Sequence, residues 1–306
     1  MTHPFAQRIQ ERYPEMPITD VQTEHMARRY FVFTVNYRLI FRFARTEADA
    51  EALKWEALHL LPAVTQAVQL PVPKPDLSSF ERMEPGFAFM GCSRIEGEPL
   101  WPETLESLNG TDAAERAAVS LADFLHRLHT ADLPERPGGD PADLVSDLRL
   151  IGVDLLYKRA ADELFERMST QAQQRAREDF GIFAKQEANM KRQVRIHGAF
   201  GPVHILWEAQ EEAVSGIVGF GSSHLGDPAF DLAALLSAYG LPFYEQVLKH
   251  YPGGQALDSR ARFHASVQPL REALHGLDHE DDESLQYGLA AYERYACGPP
   301  IGSRET

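Results

Sequence analysis

Residues 195–233 read RIHGAFGPVHILWEAQEEAVSGIVGFGSSHLGDPAFDLA. The apolar runs His204–Trp207 and Val214–Phe220, separated by the polar Glu208–Glu212, predict a short β-hairpin. A loop precedes it, a second loop follows it, and a helix is expected to start after Pro228. The stretch is therefore a frame of loop, hairpin, loop and helix, with titratable side chains on both loops.

Upstream, Tyr30–Val35 and Leu39–Phe43 are rich in β-branched and aromatic residues and predict a second hairpin, with Asn36 at its turn. Leu53, Ala57, Leu60 and Leu61 recur at helical spacing, so a helix is expected from Glu47 to Leu61, ending at Pro62. The proline-rich Leu70–Pro75 excludes helix. Phe87–Met90 reads as a buried strand, and Ile95–Leu100 as a turn leading out of it. A helix is expected from Asp112, with Glu115 as capping-box partner and an apolar stripe of Leu121, Phe124, Leu125 and Leu128. Residues 134–141 read as a loop, Leu144–Met190 as a charged helical region, and the chain beyond Phe230 as mostly helical. Strands with one helix followed by helices with one late hairpin predict an α+β protein of two unequal lobes. Residues 1–93 would form the smaller, sheet-based lobe and 94–306 the larger helical one.

Composition narrows the partners. The formal net charge of -15 repels phosphate backbones and anionic lipid, so neither nucleic acid nor membrane is an expected partner. It attracts cationic small molecules or basic protein surfaces, or simply keeps the protein dissolved. The acidic run Asp278–Glu283 has the same two readings, a lure for cationic ligands or a solvated loop. Cys92 and Cys297 are the two cysteines and lie far apart, which argues against a disulfide framework and fits a reducing cytoplasm. No signal-peptide core and no membrane-length apolar run is present in the sequence.

The pieces of 195–233 resemble the aminoglycoside phosphotransferase and choline-kinase-like family, whose fold is that of protein kinases. That family shows H-G-D-x-x-x-x-N, an I-D-F-G-like strand end, and G-D-P-x-x-D-L-A. Here His197-Gly198, Gly201-Pro202, Ile205-Leu206, Phe220-Gly221 and Gly226–Ala233 match in order and spacing. Leu125–His129 resembles the family's L-x-x-L-H helix end, and Ile95–Leu100 its turn after the inter-lobe hinge. The resemblance implies a small antiparallel-sheet N-terminal lobe and a larger, mainly helical C-terminal lobe.

The departures fall on the reacting positions. Ala199 stands where the family has its catalytic aspartate, His204 where it has a magnesium-binding asparagine, and Gly219 where it has a magnesium-binding aspartate. The nucleotide-binding glycine loop is absent from Glu24–Arg29. Arg42 matches the family's phosphate-contacting cation and Glu56 its helix partner, so both are possible nucleotide-site remnants; a salt-bridged surface arginine and a helix ion pair are the plainer accounts. His197, Asp227 and Asp231 are expected to be structural, and in the family the aspartate matching Asp227 accepts hydrogen bonds from the catalytic loop. His204 reads as a packed loop histidine, and a zinc site of His197, His204 and His224 would require all of them to converge.

Loss of a general base costs about 10² to 10⁴ in rate, and loss of metal ligands at least as much, although such losses do not multiply. Magnesium prefers an octahedral shell of oxygens, and Ala199 and Gly219 offer no side-chain oxygen. The expectation is a catalytically inactive, pseudokinase-like protein that binds an unknown small molecule or protein, with no cofactor. The alternative is an active phosphotransferase using ATP and magnesium on a hydroxyl of a small molecule, a cationic one among the candidates.

Overall fold

The computed structural model describes residues 4–26, 29–137, 152–187 and 193–298. They form two compact units. One comprises residues up to Trp101 together with Ala131–Pro137 and Pro202–Gly221; the other comprises Pro102–Thr130 and the remainder.

The first unit is built on a five-stranded antiparallel sheet of β1 (Val21–Met26), β2 (Tyr30–Val35), β3 (Leu39–Ala44), β4 (Leu77–Ser79) and β5 (Phe89–Ser93), in the order β1-β2-β3-β5-β4. Alternation along β3 sends Phe41 and Phe43 to one face and Arg42 to the other. Phe41 and Phe43 are buried with Phe33, Val35 and Phe89. The N-terminal helix Pro4–Arg12 closes this core, with the Phe5 ring 4.7 Å from those of Phe33 and Phe43. The β2–β3 turn is left-handed at Asn36 (φ 52°) and Tyr37 (φ 60°). Asn36 is fitted for this: its amide accepts from the Thr19 N–H at 2.8 Å and donates to the Pro17 carbonyl at 2.7 Å.

Thr46 caps the helix that follows, accepting from the Asp49 N–H at 3.1 Å. This helix does not stop at Pro62. It runs Glu47–Trp55, widens to a π-turn at Glu56–Leu60, and resumes over Leu61–Ala67. Pro62 lies in the first turn of the resumed segment, where its missing N–H is least costly. The strand expected at Phe87–Met90 begins two residues later. The late hairpin, Ile205–Glu208 with Ala213–Ile217, belongs to this unit, and its first strand pairs with Glu98–Pro99.

The second unit is helical around a core that includes Leu156, Phe183, Phe263, Val267, Leu270 and Tyr292. Helix Asp112–Thr130 starts where expected, but the cap is Thr111, whose hydroxyl accepts from the Ala114 N–H at 3.4 Å. Glu115 instead receives His250 Nε2 at 2.6 Å. Of the expected helical stretch 144–190, residues 144–151 and 188–190 lie outside the described residues; Val153–Arg159 and Thr170–Glu187 are helical. Helix Ala229–His250 is broken at Gly240 (φ 74°, ψ 177°), two residues before Pro242. Helices Asp258–Asp278 and Asp282–Ala296 pack side by side. The acidic run between them has structural work. Asp278 pairs with Arg159 at 2.7 Å, and Asp281 caps the last helix through the Glu283 and Ser284 amides at 3.1 and 3.2 Å.

Two glycines test this packing in opposite directions. A β-carbon at Gly288 would lie 2.5 Å from the Pro269 carbonyl oxygen and 2.6 Å from the Ala273 nitrogen, whereas one at Gly181, inside an exposed helical turn, would meet nothing within 4 Å. Thermal denaturation should show Gly288→Ala destabilising by about 1–3 kcal/mol through overpacking. Gly181→Ala should stabilise by about 0.5–1 kcal/mol because alanine loses less backbone entropy in a helix.

Candidate functional site

In the second unit the loop 197–201 is held by Asp231. The N–H groups of His197 and Gly198 donate to its two carboxylate oxygens at 2.7 and 2.9 Å. His129 Nε2 lies 3.0 Å from the same carboxylate, and His129 Nδ1 is 3.0 Å from the Tyr251 hydroxyl. Asp231 is fully buried. Burial alone would raise its carboxyl pKa; the bond to His129, the nearby His197 and the backbone amide reverse the sign and lower it. Gly198 has φ 78°, and a β-carbon there would collide with the Ser222 carbonyl oxygen, so the tight turn needs glycine. Ala199 follows, its N–H donating to His197 Nδ1 at 3.3 Å. Phe200 is buried and stacks on Phe124 with ring centres 5.7 Å apart.

The role expected of Asp227 thus falls to Asp231, one helical turn further on. Asp227 faces helix Asp258–Asp278 instead. It accepts from Arg260 at 2.8 and 3.2 Å and from the Ala229 N–H at 3.0 Å, with His264 Nε2 at 3.4 Å. Both aspartates are buried and both brace the scaffold, but only Asp231 braces the loop. Burial would raise the Asp227 pKa; His264 and Arg260 overcome this and hold it at about 2. Burial also disfavours the His264 cation, so near neutral pH the closer Arg260 is the charge that matters most.

In the first unit Arg42 and Glu56 form an ion pair at 2.5 Å, nearly removed from solvent. The Arg42 guanidinium sits 4.9 Å from the centre of the Tyr30 ring. Arg29 pairs with Asp49 at 2.8 Å and donates to the Gly221 carbonyl at 3.3 Å. Burial, then Glu56, push the Tyr30 phenol up to about 12, so it remains neutral. Each guanidinium of this cluster is matched by a carboxylate. Arg29, Tyr30 and Asp49 were not singled out from sequence. Their signal is weak, because Arg29 reaches Asp49 and Gly221 only through folding.

Gly219 and His204 meet at the end of the late hairpin. The Val218 N–H donates to the His204 carbonyl at 2.9 Å. Gly219 follows with φ 86°, and the His204 ring lies against its α-carbon. The residues that match the family's magnesium positions do not fit that ion: His204 presents an imidazole and Gly219 no side chain. Among the described residues no three His, Cys, Asp or Glu side chains converge as a metal site. His224 Nδ1 is 2.9 Å from the Ser222 carbonyl oxygen and His197 is bonded to the Ala199 amide, so both serve local structure. Of the segment Glu24–Arg29, residues 27 and 28 lie outside the described residues.

These contacts predict unequal roles for the two aspartates. Asp231→Ala strands two buried amides and His129, at about 1–3 kcal/mol for each orphaned donor, and should loosen loop 197–201 in amide hydrogen exchange. Asp227→Ala leaves the partly buried Arg260 guanidinium without its partner, costing about 1–3 kcal/mol in denaturant titrations while leaving loop 197–201 protected. Because the folded pKa of Asp227 lies below its unfolded value of 3.8, its contribution is complete above that value. It fades as pH falls towards 2, by about 2 kcal/mol in all, and Asp227→Asn should remove that part of the acid transition.

The comparisons with known proteins agree with this geometry. The model of the phosphotransferase enzyme family matches residues 19–264. A viomycin phosphotransferase of Streptomyces vinaceus is 28% identical over 280 residues, covering 88% of this chain and 91% of that one. The GDP complex of an aminoglycoside 2'-phosphotransferase superposes with a TM-score of 0.76 at 22% identity, over 95% of this chain and 97% of that one. A macrolide 2'-phosphotransferase from Brachybacterium faecium gives 0.63 at 18% identity, over 94% and 97%. The fold is therefore the kinase-like α+β fold of these enzymes, and the chain belongs to the phosphotransferase enzyme family.

Proposed function

We propose that this family member binds a small molecule or a protein and does not transfer phosphate. The observation that carries this reading is the state of loop 197–201. Its backbone is held by Asp231 in a tight glycine turn, yet the residue presented after the turn is Ala199. A methyl group neither accepts the proton of an attacking hydroxyl nor orients it. Gly219 and His204 likewise offer no side-chain oxygen to a magnesium ion, which is the group that would offset developing phosphate charge. The Arg42–Glu56 pair survives as structure, because unpairing either charge in so buried a place would be costly. No cofactor is needed in this reading, and the acidic surface turns away nucleic acid and anionic membranes. Among the described residues no helix is long and apolar enough to cross a membrane.

A second reading is favoured by the viomycin phosphotransferase relative, whose likeness spans 88% of the chain. In it the protein is an active phosphotransferase that uses ATP and magnesium on a hydroxyl of a cationic molecule, and the net charge of -15 would draw such a substrate in. That reading needs a carboxylate from elsewhere. Asp227 is a poor source because Arg260 and His264 already engage it. Glu208 and Glu211, on the late hairpin, remain.

Calorimetry with ATP and magnesium, followed by transfer assays from γ-labelled ATP to viomycin and kanamycin, separates the two. The expected result is no magnesium-dependent ATP affinity in the micromolar range and no labelled product. Tight magnesium-dependent binding with transfer to either compound would establish the second reading.

A further inference from the structure

The replacements at 204 and 219 lie fifteen residues apart in sequence, yet in space they are one feature. A β-carbon built on Gly219 would fall 2.5 Å from His204 Nε2 and 2.8 Å from its Cγ, with Cδ2 nearer still. Real β-carbons do not approach other atoms so closely. Cγ lies on the axis of the outer bond and does not move when the imidazole turns about it, so that turn does not clear the space; the whole ring has to leave by rotation at its inner bond. Nor can the backbone relieve the clash easily. The Val218 N–H is bonded to the His204 carbonyl at 2.9 Å, and the next pair along, Ile205 and Ile217, is in register in the hairpin. The two chain segments are thus clamped together beside the crowded point.

We infer that the His204 imidazole occupies the volume that a side chain at position 219 would take, so that the two positions form one coupled unit that closes this corner against a divalent cation. The histidine fills the space a carboxylate would otherwise need, and the glycine is what makes room for the histidine. A carboxylate restored at 219 alone would meet the ring before it met a metal. The consequence for metal rests on the reading of the protein as non-transferring; the steric coupling stands apart from it.

A double-mutant cycle of melting midpoints tests the coupling. Gly219→Ala adds the single β-carbon in question. In the parent it should lower the midpoint by about 4 °C or more, from overpacking together with the unfavourable backbone angle. In the His204→Ala background the three nearest clashing atoms are gone while the backbone angle still opposes it, and the loss should be less than half as large. Failure of Gly219→Ala to fold in the parent, with folding rescued by His204→Ala, supports the coupling equally. The same loss in both backgrounds would overturn it. Metal binding is read by the electron paramagnetic resonance signal of free Mn²⁺ in the presence of ADP. The parent and Gly219→Asp should leave that signal unchanged, and Gly219→Asp with His204→Asn should reduce it. Uptake by Gly219→Asp alone, or none by the double variant, would overturn the closure of the corner. Failure of the non-transferring reading would appear differently, as labelled product formed by the parent protein.

Discussion

The Asp231 carboxylate is the contact on which the site depends. Loop 197–201 reverses tightly at Gly198, and such a turn leaves backbone amides pointing inward with no strand or helix to receive them. A buried amide without a partner is costly, and a single ionised carboxylate with two oxygens satisfies both. The carboxylate in turn needs hydrogen-bond partners, which the His129 ring nitrogen and the converging amides supply, and Tyr251 holds the far side of the His129 ring. The loop's shape is therefore fixed from behind, by groups that need never touch a ligand. That separation explains how position 199 can carry a methyl group while the backbone around it keeps the turn.

The same division between scaffold and chemistry runs through the first unit. Glu56 is buried and Arg42 largely so, so each carries a desolvation cost that its partner offsets. Arg29 and Asp49 form a second pair nearby. Losing one member of either pair would strand a charge, so these residues resist replacement on physical grounds alone. Position 199 is under no such constraint, because its side chain completes no buried pair. At Gly219 the freed space has been taken up by a neighbouring ring, as close packing requires of any interior gap. Retained ion pairs are thus poor witnesses to activity, and the groups beside the reacting positions are better ones.

Much of the architecture was legible in the chain because it depends on local periodicity. Alternating aromatic residues specify the β2–β3 hairpin, and Asn36 marks its left-handed turn. The late hairpin and the helix after Pro228 follow from equally local signals. The errors have equally local causes. Pro62 looked like a helix end because a proline is read against the turn before it, and that turn proved to be a π-turn. Glu115 has the spacing of a capping box, yet His250 from a distant helix offers it a better partner.

The sequence by itself determined which positions carry chemistry-bearing side chains and which lack them: no folding can supply a side-chain oxygen to Ala199 or Gly219. It also determined the order of elements, through patterns that need only a few neighbouring residues. Tertiary structure alone decided which of two aspartates four residues apart holds the loop. Asp227 and Asp231 occupy similar places in a sequence motif, but helix Asp258–Asp278 brings Arg260 and His264 to the first. Helix Asp112–Thr130 brings His129 to the second, whose oxygens the loop amides also reach. It alone showed, too, that His204 and Gly219 are one packing unit. Both outcomes depend on contacts between residues remote in sequence, and a buried charge or a filled volume is defined by whatever the completed fold places around it.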